Sequence, residues 1–430
     1  MKLKWIAVAI GGLTLALSSQ AIAAASSNYT VNSGPPLNSY GAVDVNAIIP
    51  YNIQVPPKPA GFQDPIINPL SNQWSSIVPT APDLDVRSYI LMSANSGQIL
   101  AAYNANEREA PASITKLMLI YITQQALSRG TIHLDDMATV PVVAWATGGS
   151  RMFLKPRQQV KVRDLISGII VDSGNDAAVT LAQYIAGTQS DFVDMMNDQA
   201  KALDMTNTHF NDVMGLPAPN HYSSAYDLAH LTRAILMQYP QYSSWFSEKS
   251  FKYNGIKQAN FNKLLFIYPY AIGMKTGSTE EAGYSLVGAA KIPSMPTELI
   301  AVVLGAPGET ATNNQSAGDA KALLTYGFRF FKDRELYPAG KTIQSVTLND
   351  GTQSTVPVGV QDNLWVTVPV GLGDKLSAQL QIKKGLKAPV TKGQNVGRVV
   401  VTLNGQPLKT APAVALATVK QGNFFQRLLH

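Results

Sequence analysis

The sequence contains no cysteine, which excludes a disulfide framework, thiolate catalysis and cysteine-ligated metal sites. Charged residues make up only 14% of the 430 residues, against 46% hydrophobic ones, a balance that argues against a largely disordered chain. No dense block of Lys and Arg is interleaved with aromatic residues, so the net charge of +6 does not indicate a nucleic-acid partner. We therefore expect a globular protein with room for two domains and a mildly basic surface.

Long apolar runs are also scarce, and the one at the N-terminus has the pattern of a targeting segment. Lys2 and Lys4 precede the apolar run Trp5–Leu17, and Ser18–Ala23 ends in a small-x-small cleavage pattern. This predicts a secretory signal peptide over residues 1–23. No later stretch is long and apolar enough to span a bilayer.

Residues 24–83 differ in texture from the rest of the chain. They hold 10 of the 26 prolines and show no sustained helical or strand period. Such a segment predicts an extended tether or a strap lying on the surface. Apolar residues within it, among them Ile66, Ile67 and Trp74, indicate that it docks at some points.

Residues 84–336 alternate strand and helix patterns and predict an α+β domain. Residues 337–414 contain short alternating segments between Gly and Pro turns and predict a small all-β domain. Residues 415–430 predict an amphipathic tail, because Phe424, Phe425, Leu428 and Leu429 share one face. In the larger domain we expect a β-hairpin at Arg87–Met92 with Gln98–Tyr103 and strands at Tyr284–Ala290 and Leu299–Leu304. Helices are predicted at Val162–Val171, Asp176–Ile185, Ser190–Leu203, Tyr226–Met237 and Ala317–Lys332.

Ser113 and Lys116 lie three residues apart, behind Pro111 and ahead of a long apolar-periodic run. Pro111 suits the first turn of a helix, where a missing N–H costs nothing. The two side chains then share one face about one turn apart. A hydroxyl beside an amine predicts a serine nucleophile with its own base.

Two later motifs turn this suggestion into a constellation. Ser173-Gly-Asn175 and Lys275-Thr-Gly277 each stand at the end of a predicted element, where side chains can converge. Lys116 acts as a base only when it is neutral, and a second cation nearby, Lys275, would disfavour its ammonium form. Ser-x-x-Lys, Ser-x-Asn and Lys-Thr-Gly in this order predict a serine acyl-transfer site.

On these motifs the sequence resembles the low-molecular-mass penicillin-binding proteins of the D-alanyl-D-alanine carboxypeptidase type, from about Val86 to the end of the chain. The resemblance implies a β-lactamase/transpeptidase-like domain, an antiparallel sheet flanked by helices, followed by a small all-β domain. It also implies an enzyme without metal or cofactor. Further matching stretches are Ile132–Asp136, Ala144–Thr147, Met152–Pro156, Asn207–Phe210, Tyr222–Ala225, Ala282–Tyr284, Leu323–Phe331 and Gly422–Phe425.

The resemblance implies a reaction. Ser113 would attack the carbonyl of the penultimate D-alanine of a peptidoglycan stem peptide, release the terminal D-alanine and form an acyl-enzyme that water cleaves. Ser173 would relay a proton to the leaving amine, and Asn175 would hold Lys116 and the substrate amide. The implied substrate-binding residues and oxyanion donors follow: Lys275, Thr276, Gly277, Ser278 and Thr279 at the terminal carboxylate, and the backbone N–H groups of Ser113 and Ser278 at the oxyanion.

The same resemblance implies β-lactam antibiotics as covalent inhibitors and a periplasmic enzyme attached peripherally to the outer face of the inner membrane by its tail. Two positions depart from the family. Ala271–Met274 precedes Lys275 where relatives often carry an acidic residue, and the basic residue that often helps hold the substrate carboxylate is not seen after Gly305.

Three other functions stay open. A D,D-endopeptidase differs only on the acceptor side of the cleaved bond. A serine β-lactamase needs a deacylating Glu, and Glu248 is the only Glu between Ser173 and Lys275. A non-catalytic wall-binding scaffold would suit the long N-terminal segment and the β domain.

Overall fold

The computed structural model describes residues 55–308 and 314–423. The helices are α1 Leu70–Gln73, α2 Lys116–Ser128, α3 Val142–Trp145, α4 Val162–Ile170, α5 Asn175–Ala186, α6 Gln189–Ala202, α7 Ala225–Gln238, α8 Leu264–Ile267 and α9 Gln315–Phe330. The strands are β1 Ser88–Ser93, β2 Ile99–Tyr103, β3 Met137–Thr139, β4 Gln159–Lys161, β5 Ser250–Tyr253, β6 Ile256–Ala259, β7 Ala271–Thr279, β8 Gly283–Lys291, β9 Glu298–Ala306, β10 Phe331–Tyr337, β11 Thr342–Thr347, β12 Thr355–Gly359, β13 Leu364–Pro369, β14 Leu376–Ile382, β15 Asn395–Leu403 and β16 Gln406–Ala415.

A five-stranded antiparallel sheet in the order β2-β1-β9-β8-β7 forms the centre of the larger domain. Both faces of this sheet are covered, which explains why β9 reads as an almost continuous apolar run. Ile300 and Val302 face a core shared with α2 and α4–α7, while Leu299 and Val303 face a second core shared with α9. The side-chain alternation of a strand therefore joins two cores through one sheet.

The predicted α+β architecture is confirmed. The predicted hairpin, the four central helices and the two long strands are all present, with ends that differ from the structure by up to two residues. The helix predicted to end at Lys332 ends at Phe330. Residues 135–163 have a loop-like sequence, yet they contain the small β3–β4 sheet and α3.

Residues 55–83 lie against the larger domain and contain only the short helix α1. Leu70, Trp74 and Val78 are buried in the second core, and the backbone carbonyl of Pro79 accepts a hydrogen bond from Tyr326. Trp74 docks as expected, whereas Ile66 is almost fully exposed. The described part of the proline-rich segment is therefore a packed strap.

The C-terminal domain is a separate β structure with its own apolar core. Its five-stranded antiparallel sheet has the order β11-β12-β16-β15-β14, and β10 pairs with β13. Strand β10 runs across residue 336, where the sequence placed the domain boundary.

The 1–23 leader, residues 24–54 and residues 424–430 of the predicted amphipathic tail lie outside the described residues. The described part of that tail, residues 415–423, is not helical: Ala415 ends β16, and Val419 and Gln421 form bridges within the β domain. Within residues 55–308 and 314–423, no helix combines the length and apolar character needed to cross a membrane.

Candidate active site

The predicted nucleophile lies on a tight turn rather than on a regular helix. Ala112–Thr115 forms a 3₁₀ turn, and α2 begins only at Lys116. Ala112 has a φ of +46°, a left-handed conformation that is uncommon for a residue with a Cβ. Pro111 precedes the turn instead of opening an α-helix, so the predicted helix start is wrong. The side chains of Ser113 and Lys116 still meet.

Lys116 is fully buried, and its Nζ donates to Ser113 Oγ at 2.8 Å and to the Met214 backbone carbonyl at 2.8 Å. Burial lowers the pKa of Lys116 to about 7, although the charges of Asp212 and Asp176 act in the opposite direction. A substantial fraction of Lys116 is therefore neutral near neutral pH and able to accept the serine proton. The sequence predicts this effect from a nearby Lys275, whereas burial is the main cause.

Ser173 and Lys275 form the second half of the cluster. Lys275 Nζ donates to Ser173 Oγ at 2.9 Å and to the Thr276 carbonyl at 3.1 Å. Burial, followed by the charge of Lys116, lowers the pKa of Lys275 well below its ordinary value. Ser173 has a φ of +54°, so its hydroxyl is presented from a strained turn.

Asn175 opens helix α5 beside this turn. Its Nδ2 donates to the Gly148 carbonyl at 2.7 Å. Its Oδ1 is buried and has no hydrogen-bond partner within the described residues, so an acceptor remains for a substrate N–H or for Lys116. Asp176, the next residue, accepts from the backbone N–H groups of Met152 and Leu154 and fixes the loop that borders the site.

Strand β7 is the edge of the central sheet, and it packs directly on the nucleophile turn. A Cβ added at Gly277 would lie 2.8 Å from the Pro111 carbonyl oxygen and 3.1 Å from the Ser113 backbone nitrogen. Only glycine allows this approach of two backbones. The glycine of the Lys-Thr-Gly motif is thus a packing requirement that places Thr276 and Ser278 at the site.

A groove of about 610 Å³ continues from β7, and Ser278, Thr279, Tyr284 and Gly305 line it. Arg87 also lines this groove, with its guanidinium bound to Glu109 at 2.9 Å. Arg87, the residue before β1, thus brings a guanidinium to the groove, where it is paired with Glu109. Sequence reasoning missed Arg87 because it lies almost 200 residues from β7, outside any motif.

The structure brings Ser113, Lys116, Ser173 and Lys275 into two hydrogen-bonded pairs, with Asn175 beside them and Thr276–Thr279 along the adjoining strand. Sequence reasoning also missed Asp212 and His221, which lie directly behind the nucleophile turn. No short motif contains them. The buried position of two ionisable residues was the available signal, and it is visible only in the fold.

Comparison with known families matches two consecutive parts of the chain. Residues 75–308 match the family described as D-alanyl-D-alanine carboxypeptidase, and residues 331–421 match the C-terminal domain of penicillin-binding protein 5. D-alanyl-D-alanine carboxypeptidase DacC of Escherichia coli (strain K12) is 42% identical over 81% of this chain and 88% of its own length. DacF of Bacillus subtilis (strain 168) is 32% identical over 79% of this chain and 87% of its own length.

Solved structures give the same result. Penicillin-binding protein 5 from Haemophilus influenzae superposes with a TM-score of 0.74 and 38% identity, covering 80% of this chain and 99% of that one. Penicillin-binding protein D2 from Listeria monocytogenes, solved in an ampicillin-bound form, superposes with a TM-score of 0.52 and 28% identity over 57% of this chain and 98% of that one.

Proposed function

This chain belongs to the D-alanyl-D-alanine carboxypeptidase family and is a serine-type D-Ala-D-Ala carboxypeptidase of the penicillin-binding class, and we propose that Ser113 is its nucleophile. The observation that carries the assignment is the 2.8 Å contact between Ser113 Oγ and the buried amine of Lys116. A serine hydroxyl attacks a carbonyl efficiently only when a base removes its proton.

In acylation, Ser113 Oγ forms a bond to the carbonyl carbon of the penultimate D-alanine, and its proton passes to neutral Lys116. The bond to the nitrogen of the terminal D-alanine breaks, and Ser173 relays a proton to that leaving amine. The backbone N–H groups of Ser113 and Ser278 stabilise the oxyanion. The approach of β7 to the nucleophile turn at Gly277 supports this pairing of donors.

The terminal carboxylate of the stem peptide binds along β7 in this proposal. Lys275 supplies an amine donor, and Thr276 and Thr279 supply hydroxyl donors. The part-exposed positions of Thr276 and Thr279 along the strand support a ligand held there, with Thr279 lining the groove that continues from β7. Asn175 Oδ1 accepts from the substrate amide, which would give its buried oxygen a partner.

Deacylation completes the cycle. Water forms a new C–O bond to the acyl carbon while Ser113 Oγ leaves and takes back a proton, with Lys116 accepting the proton of the water. A β-lactam amide is attacked in the same way, and the ring-opened acyl group stays on Ser113 for longer. The ampicillin-bound relative supports this reaction with β-lactams.

The leader over residues 1–23 directs the chain to the periplasm in this proposal, and the end of the predicted tail, residues 422–430, attaches it to the outer face of the inner membrane. Support for attachment comes from the shared apolar face of Phe424, Phe425, Leu428 and Leu429. Removing residues 422–430 is expected to reduce co-sedimentation with anionic vesicles. Unchanged co-sedimentation would assign the tail to packing on its own domain.

The decisive experiment gives the mature protein a stem peptide that ends in D-Ala-D-Ala and measures free D-alanine. We expect release by the wild type and none by Ser113→Ala, together with loss of covalent labelling by fluorescent penicillin. Ser167→Ala is the matched control, because it removes a hydroxyl from helix α4 outside the site. Persistent labelling of Ser113→Ala would refute the assignment of the nucleophile. Preferential cleavage of cross-linked peptides would identify an endopeptidase.

A further inference from the structure

A second polar cluster lies directly behind the nucleophile turn, and the reaction described above does not use it. Its members are Asp212, from the loop after α6, and His221, which follows nine residues later. His221 is 1% exposed and Asp212 is 8% exposed. Two ionisable side chains at this depth are costly to bury unless their partners compensate, so their contacts indicate what they do.

Asp212 organises the loop that touches Lys116. Its carboxylate accepts from the backbone N–H groups of Met214 at 2.6 Å, Gly215 at 2.7 Å and Leu216 at 3.1 Å. The carbonyl of Met214, in the middle of this turn, accepts from Lys116 Nζ. Asp212 therefore fixes the orientation of one of the two groups that hold the lysine amine.

The loop and the nucleophile turn are also in direct contact. A Cβ added at Gly215, whose φ is +91°, would lie 1.8 Å from the Ala112 carbonyl oxygen, so no other residue fits here without displacing the turn. His221 Nδ1 lies 3.7 Å from Asp212 Oδ2 and 3.4 Å from the backbone nitrogen of Asn211. Its Nε2 lies 2.8 Å from Oγ1 of Thr115, which stands between Ser113 and Lys116.

We propose that Asp212 is a positioning residue for Lys116: it holds the Met214 carbonyl against the lysine amine, sets a fixed negative charge near it, and is tied through His221 to Thr115 of the nucleophile turn. The proposal rests on the proposed function, in which Lys116 takes the proton of Ser113. It adds a carboxylate and an imidazole, neither of which touches the substrate, to the groups that determine when Lys116 is a competent base.

The charges around Lys116 set the sign of the expected effect. Asp212 faces it from the loop after α6, Asp176 from α5 and Lys275 from β7. Although burial acts in the opposite direction, hydrogen bonding and charge from His221 and backbone donors hold the pKa of Asp212 below its ordinary value. Asp212 is therefore an anion at neutral pH, and its charge raises the pKa of Lys116. Removing the charge lowers that pKa.

The test measures the rate of acylation by fluorescent penicillin across a pH series with the full mature chain. In the wild type the rate rises through the pKa of Lys116, about 7. Asp212→Asn keeps an oxygen acceptor but not the charge, and we expect the acid limb to move down by about one pH unit. Asp212→Ala also loses the acceptor, and we expect its plateau rate to fall by roughly tenfold.

Asp135→Asn is the matched control, because it removes an exposed carboxylate that pairs with Lys161 and Arg163. An acid limb that stays in place in Asp212→Asn, or that moves equally in Asp135→Asn, overturns the proposal. If Asp212→Asn does not fold, His221→Gln tests the link to Thr115 instead. The plateau rate should then fall about threefold with the limb unmoved, and an unchanged rate overturns the link. A wild type without penicillin labelling or without an acid limb refutes the proposed function itself.

Discussion

Two buried polar clusters in this protein serve different purposes, one in catalysis and one in holding the two domains together. One is the active site, where Lys116 and Lys275 meet two serine hydroxyls. The other joins the two domains, where Asp333 of β10 accepts from Ser93 and Asn95 of the larger domain and from Thr367 of β13. At the joint each carboxylate oxygen of Asp333 accepts a hydrogen bond. At the active site Lys116 and Lys275 donate to hydroxyl and backbone oxygens, and within the described residues neither amine is hydrogen-bonded to a carboxylate.

Each cluster also contains or borders a buried lysine, and the two lysines have different hydrogen-bond partners. At the joint, Lys409 of β16 donates to the Ser96 and Trp365 carbonyls, at 2.7 Å and 3.0 Å. Burial lowers its pKa to about 8, but its donors are aimed at backbone acceptors that cannot move a proton. Lys116 donates to a hydroxyl that can. Burial lowers the pKa of both amines. Whether proton transfer follows depends on the group that each amine contacts.

The largest expected effect separates function from stability at the active site. Lys116→Met removes the base and should lower penicillin acylation and D-alanine release by at least about 100-fold. Replacing a buried amine by an apolar side chain of similar length should leave the thermal midpoint unchanged or raise it. Lys409→Met is the control, with acylation retained. A fall in both activity and stability of Lys116→Met would mean that this lysine is structural.

The next prediction removes the central carboxylate of the joint between the two domains. Asp333→Ala leaves the donors of Ser93, Asn95 and Thr367 without their acceptor, and Asp333 is fully buried. We expect a loss of about 3–5 kcal/mol in the free energy of unfolding, measured by urea denaturation, because breaking a buried network is costly. Penicillin acylation of the folded fraction should persist. Asp374→Ala, at an exposed carboxylate of the same domain, should unfold like the wild type, and an equal loss there would remove the special role of the joint.

A third prediction contrasts two buried aspartates. Asp172, next to Ser173, is 1% exposed and its Oδ1 has no hydrogen-bond partner within the described residues, unlike either oxygen of Asp333. Burial, followed by the charges of Asp176 and Glu248, raises the pKa of Asp172 to about 7. The unfolded chain releases this proton near pH 4, so native stability falls as pH rises from there to about 7.

Asp172→Asn removes that ionisation. We expect its free energy of unfolding to exceed that of the wild type by roughly 2 kcal/mol above the pKa of Asp172 and to match it at about pH 4 and below. Urea denaturation at the two pH values measures the difference. Glu335→Gln, on the joint strand β10 and exposed, is the control. A gain that does not depend on pH would show that charge is not the cause.

These two clusters were not equally accessible to sequence reasoning. The active-site residues stand in three short motifs whose spacing carries a chemical rationale, so Ser113, Ser173 and Lys275 were found by pattern. The joint has no motif, because Asp333 meets Ser93 and Thr367 only after separate elements pack together. Asp212 and His221 were missed for the same reason.

The fold shows the same division. Helices with a clear 3.6-residue period and strands with alternation or a continuous apolar run were predicted within two residues. Strand β16 contains Pro407 and Pro412, two residues that are unusual within a sheet. The structure accommodates them, since β16 pairs with β12 only through Val414 and Ala415. The prolines thus lie where the strand has a single neighbour, β15.

The smallest expected effect tests whether the joint is centred on Asp333. Thr367 Oγ1 lies 2.6 Å from Asp333 Oδ1 and 2.6 Å from Ser96 Oγ. Thr367→Val keeps the shape but removes the hydroxyl, and it should cost about 1–2 kcal/mol of unfolding free energy. Burial already raises the pKa of Asp333 despite its three donors, and losing one raises it further. The cost should therefore grow as pH rises, because the ionised carboxylate needs the donor most.

Urea denaturation of Thr367→Val at two pH values, one below and one above the pKa of Asp333, measures this growth. Ser96→Ala provides the comparison, because Ser96 contacts Thr367 but not Asp333 through its side chain. Its cost should be smaller and independent of pH. If both variants lose the same stability at both pH values, the hydroxyl pair of Ser96 and Thr367 would hold the domains together, and Asp333 would contribute nothing to the stability of the joint. The contrast with the active site would then rest on neutral hydrogen bonds rather than on a satisfied charge.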